Sequence, residues 1–387
     1  MERLVMALHY GADAVYLAGT QFGMRASAGN FDEAQLRKAV RLAHSLGRRV
    51  YVTCNTLPRE EELAALPAYL ELLQDAGADA LIIADLGVLE LAKRHAPRVS
   101  KHVSTQLGVI NSATANALYA LGADTVVLAR ETPLEDIRRI RRNTPPELRL
   151  EAFVHGAMCV SFSGRCLLSN YLTGRDANRG RCAQPCRWKY HLVEEKRPGE
   201  YFEISEDGGT HIMNSRDMCM IEHIPELIEA GVDSFKIEGR MKSSYYAAVV
   251  TNAYRHAIDA AVSGEELDRL WVDEVNKVSH RPYTTGFYFG EPGQYYHDAS
   301  YFTEADVAAV VEGCDAEGNA VLFQRNKFYK GDELELLKSD GVPIAFTVEH
   351  MYNAGGEEID DTRHAMMEIH MKLPTVAEKY SIIRKCR

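Results

Sequence analysis

The sequence of 387 residues predicts an α/β fold, in which a (β/α) TIM-barrel-like domain precedes a small all-β domain. Two observations support this prediction. In the first part of the chain, short runs rich in β-branched residues alternate with amphipathic helical segments, and from residue 301 onward apolar residues recur at every second position. The alternation is typical of a parallel sheet covered by helices, and the period of two is typical of antiparallel strands.

The barrel strands follow in chain order. After a helix at 1–11, the segments with strand composition are 14–18, 50–55, 80–85, 102–106, 125–130, 150–155 and 234–238. Several intervening helices run into glycines, such as Gly77, Gly122 and Gly231, where a left-handed C-cap is favoured. Since no strand precedes the first helix, we expect either a truncated start or closure of the sheet by another segment.

The composition also predicts how the chain is divided. We expect the barrel-like domain at 1–279, a linker rich in Tyr, Gly and Pro at 280–300, and a small β-barrel at 301–387. A cysteine-rich insertion at 156–190 and a β-hairpin after it interrupt the barrel. Neither a signal peptide nor an apolar run of about 18 residues is evident, so we expect a cytoplasmic chain with no membrane partner.

The cysteine-rich insertion is the strongest functional signal. Cys159, Cys166, Cys182 and Cys186 have the spacing C-x6-C-x15-C-x3-C. A reducing cytoplasm disfavours disulfides, so clustered cysteines predict metal or redox chemistry. Structural zinc favours C-x2-4-C pairs, which only the last two cysteines resemble, and an iron–sulfur cluster is therefore preferred. Scattered cysteines without a ligand remain the alternative.

The insertion also reverses the charge of the chain, whose formal net charge is -11. Its cations are Arg165, Arg175, Arg179, Arg181, Arg187 and Lys189. They can offset the negative charge of a thiolate-bound cluster, or they can bind the phosphates of RNA. Trp188 and Tyr190 are candidates for stacking on an unpaired base.

Polar residues end the predicted strands, where the active sites of (β/α) barrels form. We assign catalysis to Arg130, His155, Glu238, Arg240 and Lys242, and substrate binding to Asn55, Asp85, Gln106, Glu131, Arg175 and Arg179. Arg130, Arg240 and Lys242 are suited to hold an anionic metabolite, because guanidinium groups pair bidentately with carboxylates. His155 is suited to proton transfer. Helix capping is the alternative for each strand-end residue, above all for Asp85.

Peptidase signatures are weak in this sequence. Neither H-E-x-x-H nor G-x-S-x-G occurs. Ser161 and Ser163 lie near His155 in the sequence, and Cys54 is expected to belong to the core. The residues alone therefore give little support to proteolysis.

Residues 151–169 read E-x-F-x2-G-A-M-C-x4-G-x-C-x-L-S, which closely resembles the signature of peptidase family U32. The stretches NRGRCAQPCRWKY, RPGEYF, IMNSRD, GVDSFKIEGRMKSSYY and NKFYKGDELELL resemble the same family. The resemblance covers nearly the whole chain, and these motifs are long.

The resemblance implies a function that composition does not reveal. The chain is most similar to a branch of the family implied in making 5-hydroxyuridine at the tRNA wobble position, with a 4Fe-4S cluster and prephenate as a required metabolite. The anticodon loop of tRNA is then an expected partner, and a homologous subunit of the family is another. Other members are called collagenase-like proteases, so a hydrolase is the alternative activity.

The resemblance also implies the cluster ligands. They fall on Cys159, Cys166 and Cys182, and the fourth is either Cys186 or Cys219. The second choice is that of a sister branch that assists oxygen-independent ubiquinone synthesis. Family members usually begin with a strand ahead of the first helix, which this chain lacks.

Overall fold

The computed structural model describes residues 1–24, 29–159, 161–188, 192–193, 201–202, 215–293 and 301–387. They divide into two compact units. The first unit contains residue 1 with 13–241 and 281–301, and the second contains 2–12, 242–280 and 302–387. The predicted domain boundaries stay predictions. Within the described residues no helix is long and apolar enough to cross a membrane.

The α-helices of the described residues alternate with strands as the sequence predicts. They are α1 (Glu2–His9), α2 (Glu33–Ser45), α3 (Glu60–Leu63), α4 (Leu66–Asp75), α5 (Leu86–His95), α6 (Ser112–Ala120), α7 (Leu134–Arg142), α8 (Leu168–Thr173), α9 (Ile224–Glu229), α10 (Ser244–Ser263) and α11 (Arg269–Glu274).

The strands of the first unit are β1 (Ala14–Leu17), β2 (Arg49–Cys54), β3 (Ala80–Ile83), β4 (Ser100–Val103), β5 (Thr125–Val127), β6 (Arg149–Ala157), β7 (Leu192–Val193), β8 (Tyr201–Phe202), β9 (Asp217–Cys219), β10 (Ser234–Ile237) and β11 (Tyr283–Thr284). Those of the second unit are β12 (Ala305–Cys314), β13 (Asn319–Gln324), β14 (Glu333–Leu337), β15 (Ile344–Thr347), β16 (Tyr352–Asn353), β17 (Glu368–Lys372) and β18 (Ile382–Cys386).

The first unit is a barrel-like β/α arrangement, which confirms the predicted fold class. Strands β1 to β6 lie in sequence order and pair in parallel, and β10 pairs in parallel with β6. Glycines between a helix and the next strand have positive φ, for example +83° at both Gly77 and Gly231. This is the left-handed turn that the sequence pattern predicts. Because these strands pair in parallel, their carboxyl-terminal ends lie at one edge of the sheet.

Two further segments extend this sheet beside β6. Strand β9 pairs antiparallel with the end of β6, and β11 pairs in parallel with β9. Residues 281–293 of the predicted linker therefore contribute to the first unit. Of the predicted hairpin, β7 and β8 pair antiparallel, and residues 194–200 and 203–214 lie outside the described residues.

The second unit holds an antiparallel sheet in the order β15-β14-β18-β12-β13-β17-β16, which confirms the predicted all-β region. Val311, Leu322, Phe328 and Ile383 are fully buried in its core. Arg384 of β18 is also buried, and its guanidinium donates to Glu274 at 2.6 and 2.7 Å. A buried charge is costly without such a partner, so this pair fixes α11 against the sheet.

Candidate cysteine-rich active site

The cysteine-rich insertion begins where β6 ends. None of its four cysteines forms a disulfide. A backbone N–H donates to the sulfur of Cys159 from Ser161 at 3.4 Å and to that of Cys166 from Leu168 at 3.4 Å. Gln184 donates in the same way to Cys182 at 3.3 Å. In each case the donor lies two residues after the cysteine, and such a bond stabilises the thiolate.

The four thiols lie close enough to affect one another electrostatically. Burial raises the pKa of Cys159, the Ser161 N–H and the charge of Arg130 oppose this, and Cys166 and Cys182 raise it further. Burial also raises the pKa of Cys186, where Arg187 opposes the effect and the other three cysteines add to it. The structure therefore places the Cys159, Cys166, Cys182 and Cys186 thiols within electrostatic reach of one another, and their role as ligands stays a prediction.

The chemistry of this donor set fits a four-cysteine cluster. A tetrahedral zinc site would hold its sulfurs about 3.8 Å apart, because each Zn–S bond is about 2.3 Å long. Among the residues that the structure describes, no three His, Cys, Asp or Glu side chains are grouped closely enough to hold a metal ion. In a 4Fe-4S cluster each thiolate binds a different iron, so the four ligand sulfurs of a cluster lie further apart than those of a zinc site. Arginines beside the thiols suit the negative charge of such a cluster.

Glu131 holds the loop between the first two cysteines. Its carboxylate accepts hydrogen bonds from the backbone N–H and the hydroxyl of Ser163, both at 2.6 Å. Ser163 is buried and has a φ of +43°, a strained value for a residue other than glycine. Arg165 Nε donates to the carbonyl of Gln106 at 2.7 Å. Glu131 and Gln106, predicted to bind substrate, thus contact the cysteine loop.

An ion pair holds the segment between Cys166 and Cys182. Arg179 donates to both carboxylate oxygens of Glu62, at 2.6 and 2.9 Å, and to the carbonyl of Leu57 at 3.2 Å. The hydrogen-bonded guanidinium lowers the pKa of Glu62 from 4.5 to about 2. A lowered carboxyl pKa stabilises the fold fully above pH 4.5, and this contribution is lost as the pH falls toward about 2.

We expect Glu131→Ala to expose Cys159 and Cys166 without unfolding the protein. The substitution leaves the Ser163 N–H without its acceptor and removes the interaction that holds the strained loop. Alkylation of these thiols by iodoacetamide in the metal-free protein should become about tenfold faster, measured by peptide mass spectrometry. Glu135→Ala is the matched control, because Glu135 lies exposed on α7. Equal alkylation rates in the two variants would show that Glu131 does not hold the loop.

The junction of β6 and β10 assembles the barrel mouth. The carbonyl of His155 accepts the N–H of Glu238 at 2.9 Å, and Glu238 Oε1 accepts the N–H of Arg240 at 3.1 Å. Gly156 has a φ of +127°, and a Cβ there would lie 2.8 Å from the Glu238 carbonyl oxygen. Only glycine allows this approach, which brings three predicted catalytic residues to one place.

Arginine side chains link the mouth to the cysteines. Arg240 Nη2 donates to Asn30 Oδ1 at 2.9 Å. Arg130 Nη1 donates to the carbonyl of Ala157 at 3.2 Å, and its guanidinium stacks 4.0 Å from the centre of the Phe153 ring. Arg130 also opposes the rise in the pKa of Cys159, so its charge acts on the cysteine group.

Tyr283 contacts His155 and was not predicted from the sequence. Its hydroxyl lies 3.4 Å from His155 Nε2, and the two ring centres are 5.2 Å apart. The buried pair of Arg281 and Asp217, at 2.6 Å, fixes the segment that carries Tyr283. The stretch around it is rich in Tyr, Gly and Pro and lacks a strand pattern, so the sequence offers no signal for this contact.

The remaining predicted site residues have other surroundings. Asp85 accepts the N–H of Val88 at 3.0 Å and caps α5, which is the alternative that the sequence left open. Asn55 accepts the N–H of Met24 at 3.1 Å, and Arg175 donates to the carbonyl of Arg181 at 3.0 Å. Lys242 belongs to the second unit, where it donates to the Ser279 carbonyl at 2.9 Å. Lys189 and Tyr190 lie outside the described residues.

Comparison with known proteins adds independent information. A model of peptidase family U32 matches residues 1–298, and a model of the peptidase family U32 C-terminal domain matches residues 303–384. The chain is 37% identical over 392 residues to tRNA hydroxylation protein P1 of Bacillus subtilis, with 100% of this chain and 92% of that protein covered. It is 36% identical over 401 residues to tRNA hydroxylation protein P of Escherichia coli, covering 92% and 88% of the two chains. A collagenase of Porphyromonas gingivalis is 35% identical over 303 residues, covering 75% and 72%.

Proposed function

This chain belongs to peptidase family U32, and on that premise we propose that it is an iron–sulfur-dependent tRNA modification enzyme that hydroxylates the wobble uridine to 5-hydroxyuridine. Two relatives matched over most of their length are named tRNA hydroxylation proteins. The observation that carries the proposal is the group of four thiols at the end of β6, three of which accept a backbone N–H.

The proposed cofactor is a 4Fe-4S cluster held by Cys159, Cys166, Cys182 and Cys186. When bound, such a cluster supplies one-electron transfer. The chain itself contributes the four thiolates, the three N–H groups directed at sulfur and the positive charge of Arg130 and Arg187. Cys219 lies on β9 opposite His155, so it belongs to the mouth rather than to the insertion.

The proposed co-substrate is prephenate, bound at the barrel mouth. Prephenate carries carboxylates, and a guanidinium offers them two parallel donors. The side chain of Arg240 donates to Asn30, and its backbone N–H donates to Glu238. The guanidinium is therefore ordered without a bound anion. Arg130 adds positive charge on the side of the cysteines. The mouth is therefore suited to an organic anion.

His155 is the residue proposed for proton transfer at this site. It is buried at the mouth, beside the Tyr283 hydroxyl and next to Glu238. Conversion of the C5–H bond of uridine to C5–OH is a two-electron oxidation that also releases a proton, and the role assigned to His155 is that proton transfer alone, because imidazole both accepts and donates a proton. A buried imidazole with a hydroxyl partner keeps a fixed orientation during such a transfer.

Proteolysis is the alternative that the collagenase relative raises. The nucleophiles that the sequence suggests for it are Ser161, Ser163 and Cys54. The Ser163 hydroxyl donates to Glu131 rather than to a histidine. Burial raises the pKa of Cys54 to about 12, which disfavours its reactive thiolate at neutral pH. The described residues therefore give proteolysis less support than RNA hydroxylation.

Complementation tests the proposal directly. We expect the chain, expressed in an Escherichia coli strain that lacks its tRNA hydroxylation proteins, to restore 5-hydroxyuridine-derived nucleosides in tRNA, measured by mass spectrometry. The Cys159→Ser variant should restore none, because it lacks a proposed cluster ligand. Absence of these nucleosides despite a folded, cluster-loaded protein would refute the proposal, and cleavage of gelatin by the purified chain would favour the peptidase.

A further inference from the structure

The short helix α8, between Cys166 and Cys182, presents an exposed apolar surface. Tyr171 is 87% exposed and Leu167 is 74% exposed, which are high values for large apolar side chains. Trp188 is 43% exposed, and the turn at 185–187 that precedes it packs against α8. Together, Leu167, Tyr171 and Trp188 form what we call the α8 platform.

The orientation of α8 is fixed from its inner side. Ser169 is fully buried, and its hydroxyl accepts the N–H of Ala183 at 2.9 Å. The Thr173 hydroxyl donates to the carbonyl of Ser169 at 2.6 Å, and Gly174 ends the helix with a φ of +68°. Because these contacts hold the inner face, Tyr171 points outward in a defined direction. Contiguous exposed apolar patches rimmed by polar residues mark interaction sites on protein surfaces.

Arginines follow α8 in the chain and also lie in the turn that packs against it. Arg175 and Arg181 are exposed, and Arg175 Nε bonds to the Arg181 carbonyl at 3.0 Å. Arg187 contacts Gln184 at 2.9 Å and the Tyr301 hydroxyl at 3.1 Å. The positive charge contrasts with the formal net charge of -11 of the whole chain. An aromatic surface with arginines at its edge is complementary to unpaired nucleotides, whose bases stack while their phosphates meet the guanidinium groups.

We propose that the α8 platform binds single-stranded RNA, with Tyr171 as the principal stacking residue beside the cysteine group. This inference rests on the proposed function and assigns the surface that seats the RNA. Arg179 is not assigned to this RNA surface, because its guanidinium forms an ion pair with Glu62. Trp188 provides a second aromatic surface for a neighbouring base.

Binding of a tRNA anticodon stem–loop, measured by fluorescence anisotropy, tests the platform. Tyr171→Ala should weaken binding by about 5- to 150-fold, the effect of losing one base–aromatic stack. Tyr171→Phe should restore most of the affinity, since it keeps the ring. Tyr352→Ala is the matched control, because Tyr352 is a partly exposed tyrosine of the second unit. Arg181→Ala should lower the slope of log affinity against log salt by about 0.7, whereas Tyr171→Ala should leave the slope unchanged.

The outcomes separate this inference from the proposed function. If Tyr171→Ala binds the stem–loop and restores tRNA modification like the unmodified chain, the platform is not an RNA site, although the proposed function stands. If the unmodified chain neither binds the stem–loop nor modifies tRNA, both fail. If Tyr171→Ala instead abolishes self-association in sedimentation velocity while RNA binding is unchanged, the platform covers a second copy, and the inference is wrong.

Discussion

Replacing Cys159, Cys166 or Cys182 by serine is expected to abolish cluster binding. Anaerobic reconstitution of the unmodified chain should yield about four iron and four sulfide per chain, and each serine variant should lose nearly all of both. The reason is that a hydroxyl is a poor ligand for iron in place of a thiolate, and these three sulfurs are also the ones that accept backbone N–H groups. Cys314→Ser is the matched control, since Cys314 lies on β12 of the second unit.

The same experiment distinguishes the two candidates for the fourth ligand. Cys186 shares the electrostatic environment of the other three thiols, whereas Cys219 pairs with His155 in the sheet. We therefore expect Cys186→Ser to lose the cluster and Cys219→Ser to retain it. The reverse result would move the fourth ligand to β9. Stoichiometric zinc without sulfide in the unmodified chain would contradict the cluster altogether.

The elements of the fold could be predicted because their signals are local. The predicted strand at 14–18 corresponds to β1, and the predicted strand at 234–238 corresponds to β10. The strand predicted at 102–106 extends too far at its C-terminal end, because Gln106 lies in a short 3-10 turn after β4. The apolar pattern determines which face of a strand is buried, but it does not mark the residue at which pairing stops.

The cysteine group could be singled out from the sequence because the density of its cysteines is itself a signal, but the contacts that hold its loops could not be predicted. Glu62 and Arg179 are 117 positions apart in the chain, and Glu131 and Ser163 are 32 apart. No periodicity connects such pairs, since only the folded chain brings them together. Sequence reasoning assigned Glu131 and Arg179 to substrate because a charged residue near a predicted mouth has no visible partner. The structure supplies those partners.

Replacing Arg240 by alanine is expected to remove binding of the anionic metabolite while leaving the cysteine site intact. Losing a charged hydrogen-bonding partner costs about 10- to 150-fold in affinity, so calorimetric titration with prephenate should show a loss of that size. Modification of tRNA should fall at least as far. Iron and sulfide content should stay unchanged, because Arg240 contacts Asn30 and the Glu238 turn.

Two further variants make this prediction about Arg240 specific. Arg240→Lys keeps the charge but loses the planar fork, so it should recover only part of the affinity for prephenate. Arg139→Ala removes an exposed arginine of α7 and should bind like the unmodified chain. Since Asn30 and Glu238 hold Arg240 before any ligand arrives, the alanine variant loses an ordered anion site rather than a mobile surface charge. Normal prephenate affinity together with normal tRNA modification in Arg240→Ala would place the metabolite elsewhere in the first unit.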